Sequence, residues 1–254
     1  MANTRTLLGI ITALPAEARS AGVQDCPVGK TVQVDDNVLL VRCGIGRPRA
    51  ERAARALLEA GADALISWGT AAAVSPDLSH GDLVLPREVL TRDGRRFSVD
   101  DPWRDRLEKI LESHGGCHAG TVAEADGVLA NTDDKLRLHN LSGALIADME
   151  SAAIAQACHM AGCRLLVVRA VSDRMVARIP ACALAAVDAN GDVNVARCLG
   201  KLLLAPGDLP ALLRLARGFR DACATLTRVA QLAGPEFLLS PPDPTPEDDE
   251  PSHA

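Results

Sequence analysis

Two acidic residues, Glu150 and Asp173, each come just after a short apolar run of the kind that forms a buried strand. Because the carboxyl ends of parallel strands meet at one edge of a sheet, we expect the two carboxyl groups to lie near each other. One such group can donate a proton to a leaving group while the other stabilises developing positive charge. On local grounds alone, Glu150 can equally be a carboxylate that favours the positive end of a helix, with Asp148 as the helix cap.

Three more predicted strand ends carry residues that can bind a polar group. Glu17 follows the first predicted strand, and Gly46 and Arg47 follow the second. Gly69 and Thr70 follow the third, and backbone N–H groups around them can hold a water molecule or a phosphate. Gly46 and Arg47 form a candidate phosphate site. The alternatives are an exposed carboxylate for Glu17 and a solvated side chain beside a turn for Arg47.

The elements that position these residues are strands alternating with helices. Such alternation is typical of an α/β protein whose parallel or mixed sheet is covered on both faces. We predict strands at residues 6–13, 38–43, 64–68, 82–90, 119–124, 144–147 and 165–171. We predict helices at residues 15–21, 48–60, 149–161, 193–204 and 209–230, and a short one capped by residues 132–134.

Composition is typical of one folded domain with an acidic tail. The chain has 254 residues, 48% of them hydrophobic, which suffices for a substantial core. Five of its acidic residues lie in the Pro-rich segment 241–254, which leaves the rest of the chain near neutral. That balance gives no reason to expect a nucleic-acid partner. We therefore predict a single domain over residues 1–235 and a disordered tail over residues 236–254.

Cysteine spacing and the N-terminal segment bear on metal binding and location. None of the eight cysteines forms a CxxC pair, so no zinc site is predicted. Several lie within apolar patterns, which indicates free thiols in a reducing compartment. The apolar stretch at residues 7–14 is too short to span a membrane and is better interpreted as a strand than as a signal peptide. We expect a cytoplasmic protein without a membrane span.

Three segments, in order, resemble one known family. They are GIITALPAEA at residues 9–18, the run from CGIG to DLVLP at residues 43–86, and DMESAAIAQACHMAGCRLLVVRAVSD at residues 148–173. Together they are similar to the nucleoside phosphorylases and nucleosidases, a family that includes 5′-methylthioadenosine/S-adenosylhomocysteine nucleosidase. The resemblance implies a three-layer αβα fold of the phosphorylase/hydrolase kind with a twisted mixed sheet. It also implies cleavage of the N-glycosidic bond of a purine nucleoside, with no cofactor.

The resemblance assigns a role to each residue of the first pair. Asp173 matches the general acid that protonates the departing base, and Ser172 and Arg169 would orient it. Glu150 matches the residue that binds the ribose hydroxyls, where a carboxylate accepts two hydrogen bonds and favours positive charge on the sugar. Met149 would pack against the ribose.

The attacking nucleophile stays open between water and phosphate. Glu17 matches the residue that activates or orients water in the nucleosidases. Related phosphorylases often carry a phosphate-binding Arg where this chain has Ser67. Arg47 is a candidate substitute, with phosphate as co-substrate. The base-binding loop of the family aligns with the segment that contains Val128 and Leu129, which offer apolar contact only.

Residues 174–231 resemble the hopanoid-associated phosphorylase branch of the family, which is linked to removal of adenine from adenosylhopane. This predicts a small-molecule nucleoside whose 5′ side carries a large apolar group. The Leu-rich helices near residues 199–204 and 209–215 can wall an apolar channel, rest on a membrane surface, or simply pack on the sheet.

The alternatives to this function include other enzymes and a protein without catalytic activity. One is 5′-methylthioadenosine/S-adenosylhomocysteine nucleosidase itself, and another is a non-catalytic nucleoside-binding protein on the same fold. A dinucleotide-binding enzyme is a weaker alternative, because the glycine signals lack the GxGxxG spacing. By analogy with the family we expect a homo-oligomer.

Overall fold

The computed structural model describes residues 6–239 of the chain. Within them, strands and helices alternate along most of the sequence. The strands are β1 (Leu8–Thr12), β2 (Thr31–Asp35), β3 (Val38–Arg42), β4 (Ala64–Ala73), β5 (Leu83–Val84), β6 (Glu88–Leu90), β7 (Arg96–Ser98), β8 (Thr121–Glu124), β9 (Ile146–Asp148) and β10 (Arg164–Asp173). The helices are α1 (Pro15–Ser20), α2 (Arg47–Glu59), α3 (Asp101–Leu111), α4 (Thr132–Ser142), α5 (Ser151–Ala161), α6 (Ala181–Ala186), α7 (Val195–Leu204) and α8 (Leu209–Ala233).

These strands form one mixed sheet with β4 at its centre. β4 pairs in parallel with β1 on one side and with β10 on the other. The strand order from one edge is β2-β3-β1-β4-β9-β8-β6-β7, with β10 and β5 branching from β4. Since β1, β3, β4 and β10 run in the same direction, their carboxyl ends meet at one edge of the sheet. This edge is where α/β proteins collect their binding groups.

Apolar side chains leave the central strands alternately toward the two faces of the sheet, as the strand period requires. One face packs against α2 and α5, and its core includes Ile11, Val41, Leu65, Val167, Leu57 and Ile154. The other face packs against α1, α3 and α8, and its core includes Ile10, Leu40, Ile66, Leu166, Trp103 and Leu226. Helices therefore cover both faces, and the predicted three-layer αβα fold with a mixed sheet is confirmed.

Several element boundaries differ from the predicted ones. β4 continues through Gly69 and Thr70 to Ala73, because β10 pairs with it along nearly its whole length. α5 begins at Ser151 rather than at 149, and the side chain that caps α4 is Asn131, which accepts from the backbone N–H of Asp134 at 2.9 Å. β2, β7, α3 and α6 were not among the predicted elements.

The folded region extends past the predicted domain boundary at residue 235. Phe237 is 2% exposed, and its ring lies 5.0 Å from that of Trp68 in an edge-on arrangement. Trp103 Nε1 donates to the Phe237 carbonyl at 2.7 Å. Residues 236–239 thus complete the core on the α8 face and do not belong to a disordered tail. The rest of the predicted tail, residues 240–254, lies outside the described residues.

The Leu-rich segments 199–204 and 209–215 contain no buried residue and do not pack on the sheet. α7 has no buried residue, and Leu203 and Leu204 are 83% and 82% exposed. Only the second half of α8 contributes to the core. Among residues 6–239, no helix combines the length and the apolar character needed to cross a bilayer. The eight cysteines, all within the described part of the chain, are free thiols.

Candidate active site

A cavity opens at the carboxyl ends of β1, β4, β9 and β10. We call it the main cavity; its lining is mostly apolar, and the charged side chains in it are all acidic. It is lined by Ala13, Leu14, Glu17, Ile45, Thr70, Ala71, Ala72, Ala125, Gly127, Val128, Leu129, Ala147, Asp148, Met149, Glu150, Ser172, Asp173 and Ile179. The predicted site residues Glu17, Thr70, Val128, Leu129, Met149, Glu150, Ser172 and Asp173 therefore share one cavity.

Asp173 enters the cavity from an irregular end of β10. The pairing of β10 with β4 shifts register between Val171 and Asp173, so the strand bulges at Ser172. A bulge re-aims the side chains next to it, and here it brings both Ser172 and Asp173 to the cavity wall. The Ser172 hydroxyl lies 3.1 Å from Asp173 Oδ1 and 3.2 Å from the Ala71 carbonyl oxygen. Ser172 is thus in hydrogen-bond contact with Asp173.

The other oxygen of Asp173 contacts a residue that the sequence analysis did not single out. Lys135, on the first turns of α4, is fully buried, and its ammonium group donates to Asp173 Oδ2. The chain gives no local signal for this contact, because Lys135 lies in a short, weakly amphipathic helix 38 residues before Asp173.

Glu150 is held at the cavity wall by backbone N–H groups. Its Oε1 accepts from Gly46 N at 2.7 Å, and its Oε2 accepts from Met149 N at 3.3 Å. Burial, reinforced by the charge of nearby Asp148, raises the pKa of Glu150 to about 7. A carboxyl group with this pKa changes charge near neutral pH.

Asp148 caps the segment that follows it, as the local alternative proposed, and Glu150 lies directly before the first residue of α5. Asp148 Oδ1 accepts from Ser151 N at 2.9 Å and from Glu150 N at 3.2 Å, as a helix cap does. Because Asp148 satisfies these groups, the carboxyl group of Glu150 is free to turn toward Gly46 and the cavity.

Arg169 makes hydrogen bonds to the side chains around Asp148. Its Nε donates to Asp148 Oδ2 at 2.7 Å, and its other nitrogens donate to Ser67 and Ser151, with Arg169 only 3% exposed. Within residues 6–239 its guanidinium makes no hydrogen bond to Asp173. The expected contact between Arg169 and Asp173 is therefore replaced by a buried ion pair with Asp148, and Ser67 accepts two further hydrogen bonds from the guanidinium.

Glu17 is a buried carboxylate, not an exposed one. It is 3% exposed and accepts four hydrogen bonds, two on each oxygen. Its Oε2 accepts from Ala13 N and Leu14 N, both at 3.0 Å. Its Oε1 accepts from Thr70 N at 2.8 Å and from Thr70 Oγ1 at 2.9 Å. The ends of β1 and β4 thus hold Glu17 in one orientation.

The backbone groups predicted to hold water or phosphate serve the two glutamates instead. Thr70 N donates to Glu17, and Gly46 N donates to Glu150. Arg47 donates to Glu124 Oε1 at 2.5 Å and to Gln156 Oε1 at 2.6 Å, and it is not among the residues that line the main cavity. The guanidinium of Arg47 is therefore occupied within the protein.

A second, much smaller space lies behind Glu17. We call it the inner pocket; its cavity volume is about 10 Å³, and it is lined by Ile11, Thr12, Ala13, Glu17, Cys43, Trp68, Gly69, Thr70, Glu150 and Arg169. One water molecule needs roughly 10–15 Å³. The Thr12 hydroxyl in this pocket is buried and has no hydrogen-bond partner among residues 6–239. The inner pocket thus offers room and a polar group for a single water.

As for metals, residues 6–239 contain no group of three His, Cys, Asp or Glu side chains suited to an ion.

Comparison with known proteins identifies the family. Residues 9–204 match the family model of the phosphorylase superfamily. The chain is 30% identical over 162 residues to 5′-methylthioadenosine/S-adenosylhomocysteine nucleosidase of Anoxybacillus flavithermus, covering 54% of this chain and 68% of the relative. The corresponding nucleosidase of Chromohalobacter salexigens is 31% identical over 157 residues, covering 54% of this chain and 66% of the relative.

Solved structures share the fold at lower sequence identity. The S-adenosylhomocysteine nucleosidase of Streptococcus pyogenes in complex with 5-methylthiotubericidin superposes with a TM-score of 0.69 at 20% identity, covering 94% of this chain and 100% of that chain. Futalosine hydrolase of Helicobacter pylori superposes with a TM-score of 0.68 at 16% identity, covering 89% and 96%. The fold, the three sequence segments and the family match agree, and the chain belongs to the phosphorylase superfamily, as an enzyme of its nucleosidase and phosphorylase group.

Proposed function

We propose that the protein hydrolyses the N-glycosidic bond of an adenosine-type nucleoside and releases adenine. The observation that carries this proposal is the presence of three separately held carboxyl groups, Glu17, Glu150 and Asp173, on the wall of one cavity. The names of the family relatives, which are nucleosidases of adenine nucleosides, support the same chemistry.

In this proposal each carboxyl group acts on a different part of the substrate. Asp173 protonates the departing base, a contribution worth roughly 10²–10⁴-fold in rate. Glu150 accepts hydrogen bonds from the ribose hydroxyls and stabilises the positive charge that develops on the sugar. Met149 packs against the ribose, and the apolar side chains of Val128 and Leu129 contact the base. Glu17 takes a proton from the attacking water.

Three observations favour water over phosphate as the nucleophile. The main cavity has no Lys, Arg or His among its described lining residues, so its acidic groups would repel a phosphate dianion. Arg47 is engaged with Glu124 and Gln156, and Ser67 stands where the phosphorylases carry an Arg. The inner pocket, lined by Glu17 and Glu150, has about the volume of one water molecule and contains the buried Thr12 hydroxyl, which has no hydrogen-bond partner among residues 6–239.

The finer part of the proposal concerns the 5′ substituent, for which adenosylhopane is the candidate. The segment after Asp173 reaches the cavity, because Ile179 lines it and Gly191 packs against Leu14. The same segment continues into α7, in which Leu199, Leu203 and Leu204 are exposed and no residue is buried. An apolar surface that leads away from the cavity suits a nucleoside with a large hydrocarbon group. A cytoplasmic, homo-oligomeric protein without a cofactor stays a prediction.

The test is adenine release from two substrates, with and without phosphate. One substrate is 5′-methylthioadenosine, and the other is an adenosine derivative with a long saturated hydrocarbon at C5′. We expect release from the second substrate to be faster at low concentration and unchanged by phosphate. Faster turnover of methylthioadenosine would favour the methylthioadenosine nucleosidase, and a requirement for phosphate would replace hydrolysis by phosphorolysis.

Variants of the carboxyl groups complete this test. Asp173→Asn and Glu17→Gln should each lower kcat at least about 10²-fold, since each removes an acid–base group. Asp25→Asn, at an exposed site away from the cavity, is the matched control and should keep full activity. Nucleoside binding without turnover in the unmodified protein would instead favour the non-catalytic binding protein.

A further inference from the structure

Lys135 is a buried cation that the proposed mechanism does not use. It is fully buried, and its three N–H bonds meet three acceptors: Asp173 Oδ2, the Arg174 carbonyl oxygen at 2.9 Å and the Ala177 carbonyl oxygen at 3.3 Å. Removing an ammonium group from water costs several kcal/mol unless charge and hydrogen bonds compensate it. Lys135 thus occupies a site built for it, in contact with the proposed acid.

The placement of Lys135 links three parts of the cavity wall. α4, which carries Lys135, follows directly on the loop that contains Val128 and Leu129. The carbonyl groups that Lys135 contacts belong to the turn between Asp173 and Ile179, another lining residue. Ile179 N in turn donates to the Ala130 carbonyl at 3.0 Å. Lys135 therefore joins the loop on one side of the cavity to the acid on the other.

We propose that Lys135 is a positioning residue that supplies, through Asp173, the proton that leaves with the base. This inference rests on the proposed function, in which Asp173 is the general acid. A Lys135 N–H bond breaks as an Asp173 O–H bond forms, and that O–H bond then breaks as an N–H bond forms on the departing base. Lys135 is left as a neutral amine and regains its proton after the products leave by the reverse route, through Asp173, which lines the cavity and can take the proton from solvent there.

The chemistry of the side chain suits this role. A carboxyl group among the acidic residues of the main cavity needs a nearby source of protons, and Lys135 is in direct contact with it. A lysine ammonium can release a proton inside a protein, whereas an arginine guanidinium stays charged. Lys135→Arg therefore keeps the positive charge beside Asp173 but cannot transfer a proton.

The experiment compares leaving groups. Lys135→Met and Lys135→Arg are assayed on an adenine nucleoside and on p-nitrophenyl β-D-ribofuranoside, whose nitrophenolate leaves without a proton. We expect kcat on the nucleoside to fall about 10²-fold in both variants, as for loss of a general acid. On the riboside, both variants should stay within about threefold of the wild type. Lys109→Met, on the exposed face of α3, is the matched control.

A double variant provides a second readout that is independent of the riboside. If Lys135 acts through Asp173, then Lys135→Met combined with Asp173→Asn should be no slower on the nucleoside than Asp173→Asn alone. Multiplied losses would overturn the proposal. So would equal losses on both substrates, which indicate a structural role, or full nucleoside activity in Lys135→Arg. If the wild type releases no base from any adenine nucleoside, the proposed function fails, whereas an active wild type with active Lys135 variants contradicts this inference alone.

Discussion

The Cα atom of Gly69 lies directly against the carboxyl group of Glu17. A Cβ atom at position 69 would stand 2.8 Å from Glu17 Cδ and 2.8 Å from Oε1, closer than such atoms can pack. Glu17 cannot yield easily, because four donors at the ends of β1 and β4 hold its two oxygens. The Glu17 carboxyl group can therefore occupy its position only because residue 69 has no side chain.

Gly69→Ala should consequently disable the site without unfolding the protein. The added methyl group pushes the Glu17 carboxyl group away from Thr70 and from the inner pocket. We expect kcat to fall about 10²-fold, the size of a lost base, with the substrate KM nearly unchanged. Gly200→Ala, where a Cβ meets nothing within 4 Å, is the control for the substitution type. Wild-type kcat in Gly69→Ala would show that Glu17 is not held as described.

The main features of this site could be predicted because they follow from strand ends. Glu17, Glu150 and Asp173 each come after an apolar run, and parallel strands bring such positions to one edge of the sheet. The layers also follow from local pattern, since neighbouring residues such as Ile10 and Ile11 face opposite cores. The position of a residue at the end of an apolar run therefore predicts that its side chain reaches the cavity.

The partners of these residues could not be predicted in the same way. Lys135 meets Asp173 only because α4 packs beside the end of β10, a contact between residues 38 positions apart. The resemblance placed Arg169 beside Asp173, yet its side chain leaves β10 toward Asp148 at the end of β9. A side chain with several hydrogen-bonding nitrogens goes where tertiary packing leaves acceptors, which the local pattern does not encode.

The raised pKa of Glu150 predicts how stability changes with pH. The folded-state pKa is about 7, above the ordinary glutamate value that applies in the unfolded chain. The contribution of protonated Glu150 is therefore fully present below the unfolded pKa and is lost as the pH rises through about 7. Glu150→Gln, which cannot ionise, should gain stability relative to the wild type between pH 5 and pH 8, by at most about 3 kcal/mol.

Thermal unfolding of both proteins at several pH values measures this difference. Parallel curves of Tm against pH would contradict the raised pKa. In the same pH range, kcat/KM of the wild type should rise as Glu150 ionises, because the carboxylate is the form that accepts hydrogen bonds from the ribose.

The buried pair of Arg169 and Asp148 should be costly to break. Arg169→Met leaves the Asp148 carboxylate, 7% exposed as a residue, without its cation and removes the hydrogen bonds that Arg169 donates to Ser67 and Ser151. We expect a loss of about 3–5 kcal/mol in unfolding free energy. Denaturant unfolding measures it, with Arg220→Met as control, because Arg220 is 75% exposed and its ion pair should contribute little.

A double variant separates the pair from general damage to the core. Asp148→Asn combined with Arg169→Met should cost less than the sum of the single variants, since removing both charges leaves neither one uncompensated. Additive losses would mean that Arg169 stabilises the fold mainly through Ser67 and Ser151.

The final prediction concerns residues 236–239. They precede an acidic, Pro-rich segment, and the sequence analysis therefore assigned them to the disordered tail. Phe237 and Leu239 are 2% and 7% exposed, and the Leu238 carbonyl accepts from Arg106 Nε at 3.1 Å. A chain ending at residue 235 loses these contacts and opens the core beside Trp68 and Trp103. We expect it to be less stable than a chain ending at residue 239 by at least about 3 kcal/mol, the cost of removing one buried phenylalanine. Phe237→Ala in the longer chain should reproduce most of that loss, and equal Tm values for the two truncated chains would place the true boundary at residue 235.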